Sequence, residues 1–233
     1  MNSKEYAVIV AGGKGTRIKS ETPKQFLEIN GMPVLMHSIL AFYRYSEKAR
    51  IIVVLPDDEM DTWKSLCSRY SFSIPLTIQN GGKSRFQSVK NGLQAVDDDG
   101  IVAIHDGVRP CVGRNLIATS FQVAGINGTA VAAVPLKESL RMIQDNTTKS
   151  VDRSNFRLIQ TPQTFQASII KKAYERAEDS RLTDDASVAE SAGFRITLFE
   201  GSYDNIKITT PEDLAVAETL LRIGQNAAEG IKR

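Results

Sequence analysis

Cationic and acidic side chains recur just past short apolar runs in this chain, a placement suited to holding an anionic ligand. Residues 6–11 are one such run, and Gly12, Gly13 and Gly15 follow it with Lys14, Arg17, Lys19 and Lys24 alongside. Glycines let backbone amides approach a ligand closely, and the neighbouring cations neutralise phosphate oxygens. A second apolar run, residues 101–104, delivers His105, Asp106 and Arg109, and Asp204 and Lys207 stand on a polar segment near the end. Carboxylates hold Mg²⁺ through one or two oxygens while cations take the phosphates, so this mixture fits a metal nucleotide. A cation about 4 Å from a phosphate charge contributes roughly 4 kcal/mol at an effective dielectric of about 20, before desolvation. Phosphoryl transfer needs little covalent help, since in-line placement and charge stabilisation supply most of the rate. Taken singly, Lys207 reads as a solvated lysine, Asp106 as a helix cap and Arg109 as a brace; their recurrence at strand ends is what points to a site.

Two familiar phosphate fingerprints are absent. Gly12, Gly13 and Gly15 lack the third glycine of the dinucleotide pattern, and Gly82-Lys83-Ser84 has Thr77 where a Walker A glycine belongs. Pro23 disfavours helical geometry at Thr22, so residues 17–24 read as a loop that holds an anion by amides and side chains.

The elements that must position these groups follow from periodicity. The opening run is too uniformly apolar for a one-faced strand and suits a strand covered on both sides. Residues 33–45 have helical spacing behind a proline, residues 50–55 form a second solid apolar run, and a helix carrying Trp63 and Leu66 follows. A third strand is expected over 73–79, a helix over 84–96, strands over 101–104 and 129–134, and a helix over 115–125. The fold class is therefore α/β, a largely parallel Rossmann-like sheet with helices on both faces and ligands beyond the carboxyl ends of the strands.

The alternation breaks over residues 136–156, where short polar runs flank Asp145-Asn146-Thr147-Thr148, the pattern of a projecting β-hairpin arm. An isolated hairpin is marginal in water, so the arm calls for a partner subunit. Gln160-Thr161-Pro162-Gln163 reads as a turn into a helix over 166–178. Thr183-Asp184-Asp185 caps a helix that Gly193 ends, a strand spans 195–200, and Pro211 opens a closing helix to about Arg222 with a frayed tail.

Composition narrows the function. The 233 residues suit one domain, 1–233, and 29 Lys+Arg against 27 Asp+Glu leave a net charge of only +2, which gives no general argument for nucleic acid or a membrane surface. No apolar run matches a signal peptide or a membrane span, so a cytoplasmic location is expected. Cys67 and Cys111 read as free thiols.

The string from Ala11 to Arg17, followed by Thr22-Pro23-Lys24-Gln25-Phe26, resembles the signature of the sugar nucleotidyltransferase superfamily, and more narrowly the methylerythritol phosphate cytidylyltransferase family of non-mevalonate isoprenoid synthesis. The resemblance continues through Gly81-Gly82 with Arg85 and Ser88, His105-Asp106 with Arg109-Pro110, Val151-Asp152-Arg153, Gln160 to Gln163 with Phe165, Thr183 to Ala186, and Asp204 to Thr209. It implies that Arg17, Lys24 and Lys207 embrace the CTP phosphates and the transition state. It implies nucleotide contacts from Ala11, Gly12, Gly13, Gly15, Gly82, Ser88 and Asp106. Asp106, Arg109, Ser139, Thr183 and Thr209 would line the site of a polyol phosphate acceptor, with Arg153 reaching across a homodimer from the partner's arm. Asp106 and Asp204 would place Mg²⁺. The family usually carries Asp-Thr where this chain has Glu138-Ser139; the serine keeps the hydroxyl. The nearest competitor is the ribitol phosphate cytidylyltransferase family, although Val151-Asp152-Arg153 and the adjoining residues resemble the methylerythritol enzymes more, and a nucleotide-binding regulatory module without turnover is the alternative of another class.

Overall fold

The computed structural model describes residues 3–12 and 22–230, the side chains of 225–230 excepted. A seven-stranded sheet lies at the centre. It is built from β1 (Glu5–Val10), β4 (Arg50–Leu55), β5 (Thr77–Asn80), β6 (Ile101–Asp106), β7 (Thr129–Pro135), β10 (Arg157–Gln166) and β11 (Leu198–Glu200), in the order β11-β7-β10-β6-β1-β4-β5. All run parallel except β10, which is antiparallel to both β6 and β7.

The uniform apolarity of β1 has the expected cause. Successive side chains point to opposite faces, so Tyr6 and Val8 enter one core with Val89, Leu93, Ile170 and Tyr174, while Ala7 and Ile9 enter the other with Leu35, Ile39, Phe42 and Phe121. The first face is covered by α3 (Arg85–Leu93), α5 (Ala167–Tyr174) and α6 (Asp185–Ser191), the second by α1 (Val34–Tyr45), α2 (Met60–Arg69) and α4 (Arg114–Asn127). The last helix, α7 (Pro211–Gly230), packs its Ala217 with Ile29, Val34 and Ile208 in a third, smaller cluster.

Register decides where a ligand could sit. Val10 pairs with Val54 on one side and Asp106 on the other, so β1, β4 and β6 end level. The chain leaves each end through short bonds to its neighbours: the Ala11 amide donates to the Val54 carbonyl at 3.0 Å, Gly81 to Leu55 at 2.7 Å and Gly107 to Val10 at 2.9 Å.

Several expectations need correction. Residues 160–163 are not a turn but the middle of β10, the ten-residue antiparallel strand between β6 and β7. Pro162 cannot donate to a ladder, and the register against β7 shifts between Ile159 and Gln163 to accommodate it. The third strand starts at Thr77 and not 73, since Pro75 interrupts the run; α5 stops at Tyr174, and β11 begins at Leu198. The final helix continues to Gly230. A small hairpin of β2 (Glu28–Ile29) and β3 (Met32–Pro33) precedes α1 and was not foreseen.

The hairpin arm is present as β8 (Leu140–Gln144) paired with β9 (Thr147–Val151), a separate two-stranded sheet whose turn has Asp145 and Asn146 at positive φ. Its side chains are largely exposed, Met142 at 47% and Ile143 at 78%.

Candidate active site at the carboxyl edge of the sheet

The level ends of β1 and β6 open into a cavity of about 240 Å³. Val10, Ala11 and Gly12 form one side, the Gly82 to Ser88 segment another, and Lys24, Asp106 and Lys207 converge from three separate segments of the chain. Ser84 caps α3 by accepting from the Gln87 amide at 3.1 Å. The Ser88 hydroxyl donates to the Ser84 carbonyl at 2.8 Å and accepts from the Gly82 amide at 3.1 Å, so it shapes the glycine turn from within. A Cβ at Gly82 would stand 2.3 Å from the Gln87 Cβ, which explains why the turn demands glycine there.

Lys24 lies on a short 3-10 turn, Lys24–Phe26, and its ammonium reaches the Ile208 carbonyl at 3.4 Å. The next residue anchors that turn: Gln25, 1% exposed, donates from Nε2 to Glu59 Oε2 at 2.6 Å. Lys24 and Lys207 thus belong to touching segments although the chain separates them widely.

Asp106 is the hub. Its Oδ2 is 2.9 Å from Lys207 Nζ and 3.5 Å from Arg109 Nε, and its Oδ1 is 3.8 Å from Arg85 Nε. Burial alone would push this carboxyl up, but Arg85, then Lys207 and Arg109, outweigh burial and hold it well below the usual carboxylate range. It is therefore an anion at neutral pH, ringed by three cationic side chains. Arg109 is fixed by donating from Nη1 to the Asn205 carbonyl at 2.8 Å. His105 is fully buried against the edge of Phe42, with Nε2 and the Arg109 carbonyl 3.1 Å apart. Desolvation holds its pKa at about 4, partly offset by that carbonyl, so it is a neutral structural residue and not a proton carrier.

Of the residues expected at the site, Ala11, Gly12, Lys24, Gly82, Ser88, Asp106 and Lys207 line one cavity, and Arg109 adjoins it through Asp106. Gly13, Gly15 and Arg17 lie outside the described residues, as do Lys14 and Lys19. Thr209 stands apart: its hydroxyl and amide both bond Asp213 Oδ2, at 2.8 and 2.7 Å, capping α7. Thr183 is exposed ahead of the Asp184 cap of α6. Ser139 and Arg153 are exposed at the base of the arm, where Arg153 bonds the Lys137 carbonyl. Asp204 lines a different cavity, beside Cys111 and Arg114.

Of the two carboxylates expected to place Mg²⁺, only Asp106 lines the cavity, and its oxygens face Lys207, Arg109 and Arg85. Mg²⁺ is commonly held by one or two carboxylates together with substrate phosphates and water, and Asp106 supplies one persistently ionised carboxylate in the cavity wall. Asp204 is not among the groups lining that cavity. Among the described residues, no cluster of three or more His, Cys, Asp or Glu side chains is placed to hold a metal without such phosphates.

The sequence reading gave no role in the site to Arg85, Tyr174, Gln25 or Glu59, and took Asp185 only as part of a helix cap. Arg85 grips Asp185 with two parallel bonds of 2.9 and 2.6 Å, and the Tyr174 hydroxyl donates to the same carboxylate at 2.6 Å. Arg85 and Asp185 stood within recognisable motifs, but nothing in their spacing pairs them, and Tyr174 at helical spacing reads as core.

A mostly parallel α/β sheet whose carboxyl edge gathers two glycine segments, two lysines and an ionised carboxylate around one cavity defines a nucleotide-handling α/β enzyme. The description of the IspD family, 2-C-methyl-D-erythritol 4-phosphate cytidylyltransferase, matches residues 6–223. The cytidylyltransferase of that name from Bacteroides fragilis is 48% identical over 92% of this chain and 98% of its own length. The one from Alkaliphilus oremlandii is 41% identical over 94% and 96%. A crystal structure of 4-diphosphocytidyl-2C-methyl-D-erythritol synthase from Anaerococcus prevotii superposes with a TM-score of 0.81 at 29% identity, covering 94% of this chain and 96% of that one. The chain belongs to the 2-C-methyl-D-erythritol 4-phosphate cytidylyltransferase family.

Proposed function

We propose that this chain joins CTP and 2-C-methyl-D-erythritol 4-phosphate, forming 4-diphosphocytidyl-2-C-methyl-D-erythritol and releasing pyrophosphate. Family membership supports the reaction. The observation in the structure that supports it best is the convergence of Lys24, Lys207 and Asp106 on the cavity beneath Gly82.

In this reading an oxygen of the acceptor phosphate forms a bond to the α-phosphorus of CTP as the bond from that phosphorus to the β-phosphate oxygen breaks. The attacking phosphate is already ionised, so no general base is required, which agrees with His105 being buried and neutral. Lys24 and Lys207, with Arg17, neutralise the negative charge that accumulates around phosphorus. The Gly12 and Gly82 backbones frame the nucleoside, and Asp106 and Arg109 receive the acceptor. Mg²⁺, held by Asp106 and the nucleotide phosphates, would shield the triphosphate charge and orient it. Lys207 already pairs with Asp106, and a substrate phosphate replaces one partner of that pair.

The arm completes the assembly in this proposal. Met142 and Ile143 on the arm, and Phe156, Leu158 and Ile159 after it, are large apolar side chains left 40% or more exposed. A second copy covering them makes a homodimer in which Arg153 serves the neighbouring acceptor site. No described helix is long and apolar enough to cross a membrane, and the enzyme is proposed to act in the cytoplasm. Pyrophosphate release from CTP that depends on the acceptor, stops on chelation and returns with Mg²⁺ tests the proposal.

A further inference from the structure

Arg85 lines the cavity, yet its side chain is committed elsewhere. Its two terminal nitrogens hold Asp185, which is completely buried at the start of α6, and its Nε faces Asp106 Oδ1 at 3.8 Å. The planar guanidinium allows this: an arginine whose Nη1 and Nη2 fork onto one carboxylate has its Nε–H aimed in a fixed direction. Asp185 is fixed in turn by Tyr174, 2% exposed, whose ring packs on Phe86 with centroids 4.6 Å apart. The same stretch of α6 is tied to the sheet, because Gln163 donates to Asp184 at 2.8 Å and accepts from the Ala186 amide at 2.7 Å. Neither Asp185 nor Tyr174 lines the cavity, yet together they determine where Arg85 points.

We infer that Asp185 and Tyr174 are positioning residues for the acceptor half of the site: they aim Arg85 at Asp106 and so fix the carboxylate that receives the acceptor. The inference rests on the function proposed above. The geometry separates Asp106 from the nucleotide contacts that lie away from it. Lys24, Gly12 and Ser88 have no bond to Asp185 or Tyr174, so the nucleotide side keeps its shape when the Arg85 fork is loosened, whereas Asp106 loses the cation facing its Oδ1. A residue that served only the core would weaken both substrates alike.

Tyr174→Phe removes one hydroxyl and keeps the ring on Phe86; Asp185→Asn removes the charge that Arg85 grips. The expected result is an acceptor KM raised by about five-fold or more in Tyr174→Phe, and further in Asp185→Asn. The dissociation constant for CTP, measured calorimetrically without Mg²⁺ so that only contacts away from the metal are read, stays within about two-fold of wild type. Combining Tyr174→Phe with Asp185→Asn should add little to Asp185→Asn, because both act through one fork. Should Asp185→Asn fail to fold, Tyr174→Phe decides alone. An unchanged acceptor KM, or CTP and acceptor weakened equally, overturns the inference while leaving the proposed reaction intact. A wild-type protein that releases no pyrophosphate with methylerythritol phosphate overturns the reaction and the inference with it.

Discussion

Lys207 Nζ stands 2.9 Å from Asp106 Oδ2, joining the polar segment before α7 to the end of β6. In the proposed reaction this carboxylate holds the lysine where a transferring phosphate would meet it.

Lys207→Ala and Lys24→Ala should each lower kcat by about 10²-fold, with smaller effects on CTP affinity, because their charges matter most when negative charge grows on phosphorus. Steady-state kinetics with both substrates varied checks this. Near-wild-type turnover in both variants would remove them from the mechanism.

Gly82→Ala should weaken CTP by about ten-fold or more, since a Cβ there would overlap the Gln87 Cβ and the turn would have to open away from Ser88. Calorimetric titration of CTP reads it. The expectation is specific to the loop, so the melting temperature should move little.

These two expectations draw on parts of the site that the sequence made legible. Glycine turns and cations past apolar runs are local features, and the uniform apolarity of residues 6–11 and 51–55 reported their two-sided burial directly. What escaped was non-local. Pro162 made a strand in the middle of the sheet look like a turn, because the register shift that tolerates it depends on β7. The grip of Arg85 on Asp185 arises only once α3 and α6 pack on the same face, and Asp204, read as a partner of Asp106, lines another cavity beside Cys111.

Stability should fall on acidification through His105. Burial lowers its pKa in the folded state to about 4, below the value of about 6.5 expected unfolded. The unfolded chain therefore binds a proton that the folded chain excludes, and the contribution, of order 3 kcal/mol, is fully present above pH about 6.5 and lost as pH falls toward about 4. His37, also lowered by burial, acts in the same direction. Thermal unfolding from pH 7 to 4 should show a shallower decline in His105→Gln than in wild type; parallel declines would contradict this.

Charge placed on the exposed apolar surface should separate the subunits. Ile143→Asp combined with Phe156→Asp is expected to yield a monomer by light scattering, with acceptor turnover greatly reduced. Mixing Arg153→Ala subunits with Lys207→Ala subunits should restore activity, since one site of each mixed dimer would then hold both intact residues. Absence of recovery would assign Arg153 to its own subunit.

The central claim is the identity of the reaction, and pyrophosphate release from CTP with alternative acceptors tests it most directly. With Mg²⁺ present, 2-C-methyl-D-erythritol 4-phosphate should support turnover and ribitol 5-phosphate should support little or none. Equal or faster release with ribitol 5-phosphate, or CTP binding with no release in either case, would contradict the account.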